Sequence, residues 1–308
     1  MNIYIDILII VVCILALAKG STWLVDSSVR IANSLKIPEL VIGLTIVAFG
    51  TSAPEFGVTF LSAMKGIGDI AIGNVVGSNI FNLGFILGGT ALLGTLNSSK
   101  SLVYRDGFFL LSGTILLTIF LWDLTMTKLE GIILFTLLFA YLGFLFIKKE
   151  PVEEIEIKEK ARKIDYFLMP LGLCLILVGS HFLVDSSINV ARVFGMSEWV
   201  IGATIVAFGT SAPELATSIT AASRGHHGLS IGNLIGSDIF NMFGVLGLTG
   251  IIQEMHVDLE VKSNLYLLIG MILLTLFFLR TNWKLSRWEG GVLLIIGVVR
   301  WYFSFTTG

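Results

Sequence analysis

Ten stretches of the chain are nearly unbroken runs of apolar residues, separated by short polar turns. They lie at 4–32, 38–63, 68–94, 104–122, 127–147, 164–192, 198–223, 228–252, 263–280 and 287–305. Each is close to or above the roughly 20 residues that a helix needs to cross a bilayer, so each predicts a membrane-spanning helix. The first and sixth exceed that length and are expected to tilt or to project beyond the bilayer. Ile7–Leu17 has the look of a signal-peptide core, but Asp6 precedes it and no Lys or Arg does, which is wrong for a charged leader.

Composition narrows the class. Of 308 residues, 55% are hydrophobic and 14% charged, against about 25% charged in an average soluble domain; mean hydropathy is +0.90. These values exclude a soluble enzyme, a disordered chain and a disulfide scaffold. The net charge of −2 gives no footprint for nucleic acid. Cys13 and Cys174 sit in apolar runs and are expected to be reduced core or lipid-facing residues. The loops after odd-numbered spans carry fourteen Lys and Arg. The opposite side carries five, Arg300 among them, and Lys19 lies within the first span. The positive-inside bias therefore places the odd loops in the cytoplasm and both termini outside. The stretch 148–163, with six basic and five acidic residues, reads as a solvated cytoplasmic linker.

The chain contains an internal duplication. Residues 41–90 align without a gap to 200–249 at an offset of 159, with 27 of 50 positions identical. The similarity reaches into the preceding spans, where Gly20-Ser21 and Val25-Asp26-Ser27-Ser28 match Gly179-Ser180 and Val184-Asp185-Ser186-Ser187. The first span is therefore part of the repeat and not a cleaved leader. The expected units are 1–147 and 164–308. Each holds five spans, and an odd number forces the second copy to enter the membrane from the opposite side. Such inverted repeats are a mark of secondary transporters, with the substrate site between the halves near the midplane.

The most similar segment of the two copies is GTSAPE, at Gly50–Glu55 and Gly209–Glu214. Pro54 and Pro213 lack an N–H and crowd the carbonyls of Gly50 and Gly209, so each span is expected to break and leave a backbone oxygen unpaired. Such a group survives in a bilayer only where it is buried in protein or lines a cavity. Ala48, Thr51, Ser52 and Glu55 share one helical face by their spacing, as do Ala207, Thr210, Ser211 and Glu214. Carboxylate, hydroxyl and carbonyl oxygens are hard ligands suited to calcium or sodium. The next span of each half adds Asn74, Ser78 and Asn82, or Asn233, Ser237 and Asn241, at four-residue spacing. Gly73/Gly77 and Gly232/Gly236 provide small-residue faces for close helix approach. An ionisable residue inside a span is costly. Two glutamates at matching positions beside breaks are therefore read as the working groups. Asp26 and Asp185 are expected to cap helices or make contacts at a pathway mouth, and His226 and His227 to be inert loop residues.

At these residues, both GTSAPE copies with GNVVGSNIFN and GNLIGSDIFN, the sequence resembles the sodium/calcium exchanger family within the wider cation/calcium antiporters, over essentially the whole chain. The resemblance implies an all-α polytopic membrane protein of ten helices in two inverted five-helix repeats. It would be a non-enzymatic antiporter exchanging calcium for sodium by alternating access, with a calcium/proton exchanger as the alternative. It implies calcium coordination by Glu55 and Glu214, with main-chain oxygens from Thr51, Thr210, Ala48 and Ala207. Ser52, Ser78, Ser211 and Ser237 would bind sodium, Asn82 and Asn241 would join the site, and the first and sixth helices would slide across the rest. No cofactor is expected beyond the transported ions, and no partner beyond those ions and the bilayer. Some family members carry Asp where this chain has Asn241, which leaves this site one ionisable group fewer and resembles potassium-independent members. Asp238 stands where the first copy has Asn79 and is expected to point sideways. An intramembrane hydrolase would need two unlike acids acting on a water, which duplicated equivalent sites do not suggest. A passive channel would not need obligate exchange.

Overall fold

The computed structural model describes residues 3–147, 159–196, 201, 205 and 207–306. Most of the charged linker and the first residues of the seventh span lie outside the described residues. The rest is helical, and the helices follow the apolar runs to within a few residues: α1 (Ile3–Leu35), α2 (Glu39–Thr51 and Ala53–Met64), α3 (Gly68–Leu93), α4 (Leu102–Asp123), α5 (Lys128–Ile147), α6 (Asp165–Val193), α7 (Ala207–Thr210 and Ala212–Ser223), α8 (His227–Ile252), α9 (Glu260–Trp283) and α10 (Arg287–Thr306). Among the described residues seven helices are long and apolar enough to span a membrane unaided, and the bent α2 makes an eighth. The described part of α7 is short, and α10 carries Arg287, Glu289 and Arg300. Cys13 is buried, Cys174 is exposed, and both are free thiols.

Two small ribbons report the topology directly. Leu96–Asn97, after α3, pairs antiparallel with Lys284–Leu285, before α10. Thr125–Met126, between α4 and α5, pairs with Met255–His256, between α8 and α9. The first ribbon joins two odd loops and the second joins two even loops, so each set lies on one face. The same 159-residue offset relates one ribbon to the other, and they occupy opposite faces. This is the inverted duplication in three dimensions.

The core is built mainly from α3, α8 and the helices around them; Leu83, Ile86, Leu87, Leu234, Ile239 and Leu246 are fully enclosed or nearly so. The long α1 and α6 pack chiefly on each other at the periphery and are tied at both ends. Arg30 bonds Asp165 at 3.1 Å on the linker face, and Asn189 donates to Asp6 at 3.0 Å on the face bearing the termini. Arg300 lies inside α10 and donates to Asn264 at 2.8 Å.

Candidate functional site

α2 bends by 48° between Thr51 and Ala53. Pro54 sits in the first turn of the new segment, where its missing N–H costs nothing. The backbone amides at the end of the first segment fold back onto the carbonyls of Ala48 and Gly50. The expectation of an unpaired Gly50 oxygen is thus corrected: the chain tightens its last turn and satisfies it. The break still has a consequence for Glu55. It places the carboxylate in the first turn of a twelve-residue helix, where the dipole favours negative charge. Glu214 occupies the same position in Ala212–Ser223. In α3 and α8 the matching irregularity is π-helical, over Asn82–Leu87 and Phe240–Val245. Such bulges recur at functional sites because they re-aim a side chain within a buried helix.

The two halves meet reciprocally. Ser52 donates to Glu214 Oε1 at 3.3 Å, and Ser211 donates to Glu55 Oε1 at 3.1 Å. Both glutamates are buried, 1% and 0% exposed. Ser237 donates to Glu214 Oε1 at 3.3 Å, and Thr51 donates to Asn233 Oδ1 at 3.2 Å while lying 3.3 Å from the Ser237 hydroxyl. The Thr210 hydroxyl joins the Glu55 carboxylate. Asn74 donates to the Glu55 main-chain oxygen at 3.2 Å, so it contributes its amide nitrogen where an oxygen was expected. Asn241 Nδ2 reaches Ser78 Oγ and Asn79 Oδ1, each at 3.2 Å. Ala48 is enclosed below this group, and Ala207 opens the described part of α7. Missed from the sequence were Thr59, which receives Asn74, and its counterpart Ser218, which receives Asn233. Their shared place in the repeat was the available signal.

Asp238 does not point sideways, away from the site residues. It is fully buried, accepts from Asn82 at 2.9 Å through Oδ1, and offers its main-chain oxygen to Asn79 at 3.2 Å. Among the described residues no three His, Cys, Asp or Glu side chains form a group able to hold a metal; the oxygens gathered at Glu55 and Glu214 belong to carboxylates and hydroxyls. Among the described residues thirteen buried side-chain atoms lack a partner, and five of them belong to the acids and amides gathered here: Glu55 Oε2, Glu214 Oε2, Asp238 Oδ2, Asn82 Oδ1 and Asn241 Oδ1. All five are oxygens of carboxylates or amides, which only accept when the acids are ionised.

The duplication is not carried through to the packing. Gly232 and Gly236 of α8 press against α2, and a Cβ on Gly236 would lie 2.7 Å from Leu44 Cα and 2.8 Å from its carbonyl oxygen. Among the described residues nothing lies within 4 Å of where a Cβ on Gly73 or Gly77 of α3 would sit; positions 199 and 203, which correspond to Leu40 and Leu44, lie outside the described residues. Gly73 and Gly77 line a cavity of about 490 Å³ together with Asn74, Ser78, Phe81, Thr210 and Arg300. The cavity lies along the N-terminal half of α3 and the C-terminal half of α10, toward the face bearing the termini. On the linker face, α1 is fastened to α7 by the Asp26–Arg224 ion pair and by Ser21 and Thr220 at 2.8 Å. The counterpart of Asp26 is Asp185, which is 55% exposed and lies 3.4 Å from His181. His226 is likewise not an idle loop residue: it contacts Glu39, at the start of α2, at 3.0 Å.

Comparison with known proteins agrees with this architecture. The sequence profile of the sodium/calcium exchanger protein family matches residues 5–147 and again 165–306. The sodium/calcium exchanger MaX1 of Methanosarcina acetivorans is 33% identical over 96% of this chain and 97% of its own. The inner membrane protein YrbG of Escherichia coli is 31% identical over 95% and 94%. Solved structures of the sodium-calcium exchanger NCX_Mj, among them one soaked without Na+ and Ca2+, superpose with a TM-score of 0.86 at 30% identity, covering 97% of this chain and 98% of that one. With its duplicated helices, its paired buried glutamates and these relatives, the chain belongs to the sodium/calcium exchanger family.

Proposed function

We propose that the protein exchanges calcium for sodium across the cell membrane, with both termini outside and the 148–163 linker in the cytoplasm. The observation that carries this reading is the set of five buried acceptor oxygens without partners. An unpaired buried charge is strongly unfavourable, and an acceptor-only set is completed by a cation. Glu55 and Glu214 hold calcium, with main-chain oxygens of Thr51, Thr210, Ala48 and Ala207. The hydroxyls of Ser52, Ser211, Ser78 and Ser237 and the oxygens of Asn82 and Asn241 complete the sites that sodium occupies in turn. Calcium and sodium are cargo here.

Exchange follows from charge. The carboxylates cannot pass through the low-dielectric interior uncompensated, so the protein changes access only when loaded. The asymmetry of packing supplies the two access states. In the conformation described, Asn74, Ser78 and Thr210 border a cavity, while Asn233, Ser237 and Thr51 are bonded to one another. Inverted repeats permit the mirror arrangement, with α1 and α6 sliding together. The Asp26–Arg224 pair opens, and Asp185 meets Lys65, which occupies the position of Arg224 in the first copy. Sodium coupling is tested with 45Ca2+ uptake into proteoliposomes. Uptake follows an imposed sodium gradient and not a pH gradient; the reverse outcome makes the protein a calcium/proton exchanger.

A further inference from the structure

Asp238 is a fully buried acid that the two-glutamate site does not use, and unlike the equally buried Asp106 and Asp165 it has no arginine paired with it among the described residues. It sits at the crossing of α3 and α8, in a cluster joined through Asn79, which donates to the Asp238 carbonyl and accepts from Asn241. Asn82 donates to Asp238 Oδ1. A purely structural clamp between the two helices would leave its members satisfied. Here Asp238 Oδ2, Asn82 Oδ1 and Asn241 Oδ1 all lack partners, and all are enclosed. No orphaned donor accompanies them in this cluster. The deficit is therefore of one sign, for positive charge.

We propose that Asp238, Asn82 and Asn241 form a separate subsite for one monovalent hard cation beside the two-glutamate site; the inference rests on the exchanger reading and extends it. One carboxylate with neutral amide oxygens balances a single charge, whereas the divalent ion is matched by the paired glutamates. The acid that Asn241 lacks is thus supplied one helical turn earlier in the same helix. With Asp238 the site region holds three buried carboxylates that no Lys or Arg pairs among the described residues. Neutral loading then takes three sodium ions, or one calcium with one further monovalent cation.

The test is equilibrium binding of 22Na+ to the purified full-length protein without calcium, with 45Ca2+/40Ca2+ self-exchange in proteoliposomes as the control for an intact two-glutamate site. The wild type binds three sodium ions, and Asp238→Asn, which keeps the shape of the side chain, binds two while retaining calcium self-exchange. A wild-type count of two or fewer overturns the subsite, as does an unchanged count in Asp238→Asn. Should that variant not fold, Asn82→Ala keeps the charge and removes a ligand oxygen. It weakens one of the three sodium ions on the order of tenfold, and an unchanged isotherm overturns the subsite. Failure of the exchanger reading shows elsewhere: a wild type that binds three sodium ions yet moves no calcium down an opposing sodium gradient refutes antiport and still supports the subsite.

Discussion

Adding one methyl group to either of two equivalent glycines should push the protein in opposite directions. At Gly236 the new Cβ meets Leu44 Cα at 2.7 Å, the Leu44 carbonyl oxygen at 2.8 Å and Ala48 Cβ at 2.7 Å. Backbone atoms cannot rotate away, so α8 and α2 must separate. Overpacking of this kind costs about 1–3 kcal/mol. Gly77 lines the cavity and no described residue lies within 4 Å of a Cβ placed there, so Gly77→Ala is accommodated in the described conformation and clashes only in the mirror one. Both changes improve intrinsic helix propensity by about 1 kcal/mol, and that gain cancels between the two states. The remaining difference shifts the ratio of conformations by about 5- to 150-fold, in opposite senses for the two variants. The readout is the rate at which a membrane-impermeant maleimide labels a single cysteine, in a background lacking Cys13 and Cys174. Phe81 lines the cavity, and its counterpart Phe240 is 8% exposed. Gly236→Ala should slow labelling at 81 and speed it at 240; Gly77→Ala should hold or raise labelling at 81 and suppress it at 240. Shifts of the same sign in both variants would refute the idea that one glycine face is closed while the other is open.

Three further outcomes are expected. Glu55→Gln or Glu214→Gln abolishes calcium exchange while raising the melting temperature of the calcium-free protein in detergent, since each removes an unpartnered buried charge; a lower melting temperature argues that the glutamates are structural. Lys65→Cys with Asp185→Cys, oxidised, traps the state in which the cavity is closed, and calcium uptake stops until reductant is added; uptake that continues unaltered rules out the ion-pair exchange. Asp106→Asn breaks a buried group held by Arg105 at 2.6 Å and by Tyr141 at 2.9 Å and costs about 3–5 kcal/mol of stability, read as thermal unfolding with calcium affinity unchanged.

The helices were legible because bilayer thickness imposes long apolar runs that polar turns interrupt sharply. The pairing of the halves was legible because the repeat itself encodes it: the Ser52 and Ser211 faces each reach the opposite glutamate. A duplicated sequence, however, carries no record of which half is open. The contrast between Gly77 and Gly236 arises from a conformation, not from residue identity, and could not be read from nearly matching stretches. The ribbon at Leu96–Asn97 is too short for periodicity to declare it. Asp238 was misjudged because spacing from Ser237 fixes a helical angle but not what the neighbouring helix offers, and here α3 brings Asn82 to it. Arg300 lies near the end of its helix, where loop and span look alike in sequence, yet a large cavity passes beside it.

Sodium-coupled calcium movement through the paired glutamates is tested most directly by 45Ca2+ uptake into proteoliposomes under separately imposed sodium, potassium and proton gradients, for the wild type and Glu55→Gln. The wild type should accumulate calcium only when sodium is higher inside than outside, and Glu55→Gln should accumulate none. Uptake that follows the proton gradient, or that persists in Glu55→Gln, contradicts the account.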